Sequence, residues 1–143
     1  MGFKIELKTI KSSLTITKEN MIIAFPVVKA LLLESVESNR IKKIDIENAS
    51  NFKELINEMR WELSFDKEGN SVSISNNGLN VAEEELLFTS ICRFVENGSF
   101  VEYEREGENG NLKERFDYKN GEVINTTWVE DYDQNDKVYW KEI

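Results

Sequence analysis

Acidic side chains that alternate along one predicted strand are the residues best placed to bind a partner. Along that strand, a period of two places Glu102, Glu104 and Glu106 on one face. Glu114 on the following strand is expected to extend this acidic row. One interpretation is a hydrated sheet face, because acidic side chains are mostly exposed in any protein. Because aligned like charges repel one another, the other interpretation is a negative strip that docks on a basic groove.

A second acidic segment, residues 131–142, has a spacing similar to that of an EF-hand calcium loop. Oxygen-bearing side chains stand at its first, third, fifth and twelfth positions. They are Asp131, Asp133, Asn135 and Glu142. The sixth position holds Asp136, where the sharp turn of such a loop requires glycine, and the preceding residues predict a strand. We therefore favour an acidic loop before a terminal strand, with calcium binding as the alternative.

Three aromatic side chains, Tyr132, Tyr139 and Trp140, lie within this second acidic segment. Aromatic residues on strands usually belong to the core, but they are also enriched at the centres of protein interfaces. We expect two of the three to be exposed anchors. The predicted partner-binding residues are Glu102, Glu104, Glu106, Glu114, Asp131, Tyr132, Asp133 and Trp140.

The chain has no histidine and a single cysteine, Cys92, which excludes several kinds of chemistry. Without histidine, Ser–His and Cys–His nucleophile pairs and histidine-ligated zinc sites are impossible. One cysteine forms neither an internal disulfide nor a cysteine-rich metal site, and its helical spacing predicts a small buried side chain. We predict no enzyme, no cofactor and no metal, although a pair of carboxylates alone could still catalyse hydrolysis.

The formal charge of −9 is unevenly distributed along the 143 residues. Residues 1–82 contain 11 Lys and Arg and 11 Asp and Glu, whereas residues 83–143 contain 7 and 16. A field of one sign on part of a small protein favours partners of the opposite sign. The expected partner is therefore a protein with a basic surface, and direct binding to nucleic acid is not expected.

The elements that position these residues follow from hydrophobic periodicity. Strands are predicted over 3–10, at Ile44 and Ile46, over 61–65 and 72–74, and in a C-terminal meander over 99–106, 112–118, 123–129 and 137–143. One helix is predicted over 52–59 with Ser50 as its N-cap, and another over 81–96 with Asn80 as its N-cap. Asn-Gly pairs at 109–110 and 120–121 are predicted in connections.

The segment between the first strand and Ser38 supports two interpretations. In one, residues 13–17 and 21–25 form a strand pair, and a helix begins at Pro26. In the other, a helix begins near Lys18 and is kinked at Pro26. We favour the strand pair.

These elements predict an α+β fold: an antiparallel β-sheet with two or three helices packed on one face, and a C-terminal β-meander. Residues 1–143 are expected to form a single domain. The N-terminal residues lack the pattern of a signal peptide, and the longest apolar stretch, 21–33, is interrupted and too short for a bilayer. A cytoplasmic location without membrane contact is expected.

The functional expectation is a small acidic binding protein that inhibits or neutralises a partner by occupying its basic surface, which could be one that binds nucleic acid. Immunity proteins of bacterial toxins and phage anti-defence inhibitors are comparable in charge and size, not in sequence. The alternative is a metal- or small-ligand-binding module, or an enzyme that uses carboxylates alone.

Overall fold

A computed structural model describes residues 7–76, 82–107 and 110–143, and it confirms the α+β class. The strands are β1 (Leu7–Ser13), β2 (Trp61–Phe65), β3 (Ser71–Asn76), β4 (Phe100–Gly107), β5 (Gly110–Lys119), β6 (Glu122–Tyr132) and β7 (Val138–Glu142). The helices are α1 (Lys18–Ser35), α2 (Lys43–Asn48), α3 (Phe52–Glu58) and α4 (Glu84–Ser90), followed by a 3-10 helix at Cys92–Phe94.

Two antiparallel sheets are joined through the residues that follow β1. The large sheet has the order β1-β4-β5-β6-β7, and β2 and β3 form a separate hairpin. The Leu14 amide donates to the Val72 carbonyl at 3.0 Å, and the Ser71 amide donates to the Ile16 carbonyl at 3.0 Å. The buried Ser71 hydroxyl accepts from the Ile16 amide and donates to the Leu14 carbonyl, so the hairpin is fixed to the large sheet.

The predicted C-terminal meander is confirmed, since β4 to β7 are consecutive antiparallel strands. Asn120 and Gly121 connect β5 to β6 with φ angles of 54° and 78°. Positive φ at both central residues produces the twist that a two-residue hairpin loop needs. Asn109 and the first residues of the predicted strand 3–10 lie outside the described residues.

The favoured strand pair at 13–17 and 21–25 is wrong, because α1 begins at Lys18 and continues through Pro26. The Thr17 hydroxyl accepts from the Asn20 amide at 3.1 Å and caps the helix. Its buried residues recur at helical spacing: Met21, Ala24, Val28 and Leu32. Pro26 lies on the exposed side, where its ring displaces no core residue and its cost is one missing backbone hydrogen bond.

The strand predicted at Ile44 and Ile46 is also wrong, since both residues belong to α2. On a strand these two side chains would share a face, but Ile46 is buried and Ile44 is 55% exposed. The Lys29 ammonium group donates to the carbonyls of Glu47 and Ala49, at 2.6 and 3.0 Å. This contact fixes the C-terminal end of α2 to α1. With α2, the described residues contain four α-helices, where two or three were predicted.

The helix predicted over 52–59 is confirmed as α3, but its cap is Asn51 instead of Ser50. The Asn51 side chain accepts from the Glu54 amide at 2.9 Å. The Ser50 amide donates to the Glu54 carboxylate at 2.6 Å. The side chains of Asn51 and Glu54 therefore both accept from backbone amides of the first turn, an arrangement similar to a capping box.

The helix predicted over 81–96 is shorter than expected. It begins at Glu84, and the preceding Glu83 adopts a left-handed conformation with φ of 55°. The α-helix ends at Ser90, and the 3-10 helix at Cys92–Phe94 follows it. Asn80, the predicted N-cap, lies outside the described residues. Cys92 is half-buried and its thiol is free, in contact with the core.

The core is centred on Phe88 of α4. Its ring centroid lies 4.9 Å from that of Trp61 and 5.0 Å from that of Phe116, and Tyr103 packs beside them. The Tyr118 hydroxyl donates to the Phe88 carbonyl at 2.8 Å. The sheet face that carries Tyr103, Phe116 and Tyr118 is called the inner face below, and the opposite face is called the outer face.

Replacing the exposed proline of α1 is expected to stabilise the protein. Pro26→Ala restores an amide that can donate within the helix, so the free energy of unfolding should rise by about 1–3 kcal/mol in urea denaturation. Ile23→Ala, at an exposed position of the same helix, is the control and should change it by less than about 0.5 kcal/mol. An unchanged or less stable Pro26→Ala protein would contradict a continuous helix from Lys18 to Ser35.

Candidate binding surface

The predicted acidic row lies on the outer face, directly beside a row of basic residues. Residues that pair across antiparallel strands share a face, and the register pairs Glu102 with Arg115 and Glu104 with Lys113. An Arg115 Nη atom lies 3.5 Å from a Glu102 carboxylate oxygen, and its Nε atom donates to Asp117 at 2.9 Å. The strip is therefore partly neutralised within the protein.

Glu114 does not extend the acidic row, which corrects the expectation. The register places it opposite Tyr103, so its side chain lies on the inner face and is only 13% exposed. The Tyr103 hydroxyl donates to one carboxylate oxygen at 2.6 Å, and the Arg105 guanidinium group donates to the other at 2.8 Å. Both oxygens of Glu114 are thus engaged by hydrogen bonds within the protein.

Glu84, at the start of α4, lies close enough to this inner cluster to interact electrostatically with Arg105 and Glu114. Burial raises the pKa of Glu84, and the nearby Arg105 guanidinium group opposes that rise. Burial, followed by the charge of Glu114, raises the pKa of Tyr103. In the described residues, Oε1 of Glu84 and Nε of Arg105 are buried without a hydrogen-bond partner.

Two neighbouring carboxyl groups in different surroundings, here Glu84 and Glu114, are a pairing that acid–base chemistry can use. The Glu114 carboxylate, however, already accepts from Tyr103 and Arg105, and these contacts join β4 to β5 on the inner face.

On the outer face, Lys113 lies between two indole rings. Its ammonium nitrogen is 4.8 Å from the ring centroid of Trp128 and 4.9 Å from that of Trp140. Cation–π attraction favours both contacts, and it holds β5, β6 and β7 together on this face. Arg115 makes a similar contact 4.1 Å above the ring of Phe100.

Sequence reasoning missed the Lys113 and Trp128 contact, although a signal for it was present. The two-residue connection at Asn120 and Gly121 pairs Lys119 with Glu122 and therefore, six residues further along each strand, Lys113 with Trp128. Trp140 joins this pair from β7, where it is opposite Glu130.

The predicted acidic loop before a terminal strand is confirmed at the β6–β7 connection. The Asp133 amide donates to the Lys137 carbonyl at 2.9 Å. The Asp133 carboxylate accepts from the amides of Asn135 and Lys137, at 2.8 and 2.9 Å, so this side chain closes the loop. Strands flank the loop on both sides. Across residues 7–76, 82–107 and 110–143, no group of three or more potential ligand side chains is arranged to hold a metal ion.

Two of the three aromatic side chains in this hairpin are exposed, Tyr132 by 61% and Tyr139 by 45%, and their role as anchors stays a prediction. Trp140 is half-buried, because it packs on the Lys113 ammonium group. The Asp131 carboxylate accepts from the Tyr132 amide at 2.8 Å and lies 3.9 Å from the Lys141 ammonium group. Asp131 therefore supports the hairpin and is still 43% exposed.

Most of the predicted partner-binding residues meet at one end of the large sheet. We call this the distal end: the end at which β4 passes to β5 and β6 passes to β7. It brings together five of the predicted residues, Glu106, Asp131, Tyr132, Asp133 and Trp140. Glu130, which was not predicted, lies among them. The Asn111 amide group donates to the Glu130 carboxylate at 2.7 Å across this end. Glu102 lies further along the sheet, and Glu114 lies on the other face.

Comparison with known proteins adds no functional assignment: no family model matches the chain, and no curated protein or solved structure matches it significantly. Among the described helices, none has the length and apolar character needed to cross a membrane.

The raised pKa of Glu84 gives a prediction about pH. A carboxyl group whose folded pKa exceeds its unfolded value, here 4.5, lowers stability as the pH rises through the folded pKa. Glu84→Gln removes this loss, so the variant should be more stable than the wild type at pH 7, and the difference should shrink toward pH 4.5. Urea denaturation across this range measures it.

The control for this prediction is Glu85→Gln, at an exposed position in the same helical turn. It should give no comparable gain in stability at pH 7, because its carboxylate remains in water. A Glu84→Gln protein that is equally or less stable than the wild type at pH 7 would show that Arg105 outweighs the burial of Glu84.

The position of Lys113 between two rings gives a second prediction for this surface. Lys113→Met keeps an aliphatic chain between Trp128 and Trp140 but removes the cation, so the free energy of unfolding should fall by about 1 kcal/mol. Lys119→Met, at an exposed position of the same strand, should change it by less than about 0.5 kcal/mol. Equal effects of the two substitutions would show that the rings do not stabilise the cation.

Proposed function

We propose that the protein binds a partner protein through the distal end and outer face of its large sheet, and that it inhibits this partner by covering a basic surface. The observation that supports this proposal most strongly is the coincidence of acidic and exposed apolar side chains on the β6–β7 hairpin. Either feature alone is common on protein surfaces, whereas their coincidence is typical of interfaces.

The charge of the last 61 residues supports a basic partner. These residues hold 16 acidic and 7 basic side chains and form α4 and the strands β4 to β7. Internal pairing uses part of this charge, because Glu102 contacts Arg115 and Glu114 contacts Arg105. Of the remaining acidic side chains, five lie at the distal end: Glu106, Glu130, Asp131, Asp133 and Asp136. Their field would attract a basic partner over distances of about 10 Å at moderate salt concentration.

The exposed apolar side chains support a protein partner. Tyr132, Val138, Tyr139 and Ile143 are all more than 40% exposed, and all lie on or next to β6 and β7. Such side chains become anchors when a partner removes them from water. β7 is also an edge strand of the large sheet, and its outer backbone groups can pair with an extended segment of the partner.

The proposed mechanism is steric: the hairpin occupies a surface that the partner needs for its own ligand. A partner that binds nucleic acid has the basic surface this charge requires, since phosphate recognition depends on Lys and Arg. Immunity proteins and anti-defence inhibitors provide a precedent for such inhibition in small acidic proteins. Electrostatic attraction would raise the association rate more than it slows dissociation.

A salt-dependent capture experiment tests this proposal. The immobilised wild type is expected to retain a basic protein from the lysate of its source cells, identified by mass spectrometry. With that protein purified, the association rate should fall at least about tenfold between 50 and 500 mM salt, because screening removes the long-range attraction. Glu130→Lys with Glu142→Lys should abolish capture.

The matched control is Glu34→Lys with Glu62→Lys, which changes the net charge equally at exposed positions of α1 and β2. It should bind normally if the distal end is the interface. Thermal unfolding must show that both double variants remain folded. Equal loss in both variants, or an association rate indifferent to salt, would contradict the proposal.

A further inference from the structure

A groove of about 440 Å³ lies between α1, the start of α3 and the end of β2. This volume is within the range of small-molecule sites in proteins. All residues that line the groove lie within residues 1–82, which hold equal numbers of acidic and basic side chains. The groove shares no lining residue with the distal end. It is therefore a second candidate site, independent of the proposed protein interface.

The groove has a buried apolar floor and an exposed apolar rim. Met21 and Phe52 form part of the floor and are 8% and 3% exposed. Ile22 and Phe65 also line the groove, yet they are 69% and 38% exposed. Large apolar side chains grouped around a cavity and left in water favour an apolar ligand that covers them.

Two lysine side chains add positive charge to this apolar groove. Lys18 and Lys53 both line it, and the Lys53 ammonium nitrogen lies 6.0 Å from the ring centroid of Phe65. Within the described residues, neither ammonium group forms an ion pair or a hydrogen bond. Lys29, which lies on α1 like Lys18, differs because its ammonium group donates to two carbonyl oxygens.

Three acidic residues adjoin the lining residues in sequence without lining the groove: Glu19, Glu54 and Asp66. The Glu54 carboxylate accepts from the Ser50 amide, which stabilises the start of α3. The Asp66 carboxylate accepts from the amides of Glu68 and Asn70, which lowers the pKa of Asp66 and orders the β2–β3 turn. Neither Glu54 nor Asp66 lines the groove. The charge that lines the groove is therefore positive, although the chain as a whole is acidic.

We propose that this groove binds a medium-chain fatty carboxylate. The aliphatic chain covers Met21, Phe52 and Phe65, and the carboxylate is held by the Lys18 and Lys53 ammonium groups. Apolar burial supplies most of the affinity, because each CH₂ group removed from water contributes favourably. The two lysines select an anionic head group over a neutral one or a cationic one.

Titration of the ¹⁵N-labelled protein tests the proposal with three probes that share one chain: decanoate, 1-decanol and decyltrimethylammonium. Decanoate should shift the amide signals of residues 18–25, 50–53 and 65 in a saturable way. It should bind at least about fivefold more tightly than 1-decanol, since exposed ion pairs are favourable but modest. Decyltrimethylammonium should bind most weakly.

Lys18→Met with Lys53→Met should weaken decanoate binding roughly tenfold and leave 1-decanol binding unchanged, because methionine preserves the apolar chain. Lys119→Met with Lys137→Met removes the same charge at exposed positions outside the groove and should leave decanoate binding within about twofold. Both double variants should melt close to the wild type, since all four side chains are exposed.

Three results would overturn the proposal: no decanoate shifts at the groove, equal affinity for all three probes, or an unchanged decanoate affinity in the Lys18 and Lys53 double variant. Groove signals that move with protein concentration in the absence of any probe would also overturn it, because they would assign the groove to a second copy of the chain. Each result is independent of whether the distal end binds a protein.

Discussion

The packing of Phe88 against the inner face of the large sheet is the contact on which the rest of the structure depends. Its ring touches Trp61 from the hairpin and Phe116 from the sheet, so one side chain of α4 joins both sheets. Tyr118 adds a hydrogen bond to the Phe88 backbone, which fixes the helix along the sheet. Because this face is filled by buried side chains of β4 and β5, side chains of the opposite parity along these two strands face outward. The composition of the outer face is therefore a consequence of core packing.

Strand register then determines which outward side chains become neighbours. The Asn120 and Gly121 connection fixes the pairing of β5 with β6, and a slip of one residue would exchange the two faces. In the observed register, Lys113 lies between two tryptophan rings, whereas Glu114 faces inward and meets Tyr103. Adjacent residues on one strand thus have unrelated roles: one organises the exposed surface, and the other stabilises the interior. The register also places Arg115 opposite Glu102 and Lys113 opposite Glu104, so the acidic row is not a uniform negative strip.

The sequence was sufficient to predict the elements whose signals are local. Strands β4 to β7 and helix α3 were predicted because alternation, helical spacing and Asn-Gly turns depend only on near neighbours. Helix α1 was predicted only as the alternative to a strand pair, because Pro26 suggests a helix start. The tolerance of a proline inside a helix depends on its exposure in the folded protein. The inward position of Glu114 follows from alternation with the apolar Phe116 and Tyr118 on the same strand. Its contacts with Arg105 and Tyr103, however, are given only by the tertiary structure. The groove was also missed, since its residues come from three separate elements.

The two proposed sites carry opposite local charge, and net charge alone would have suggested only one of them. A screening length of about 8 Å at physiological salt concentration makes each surface respond mainly to its own nearby side chains. The charged side chains that line the groove are Lys18 and Lys53, and neither Glu54 nor Asp66 lines it. At the distal end the acidic side chains exceed the available cations, and Lys113 is already held between rings. A protein of net charge −9 can therefore attract a basic protein at one surface and an anionic amphiphile at another.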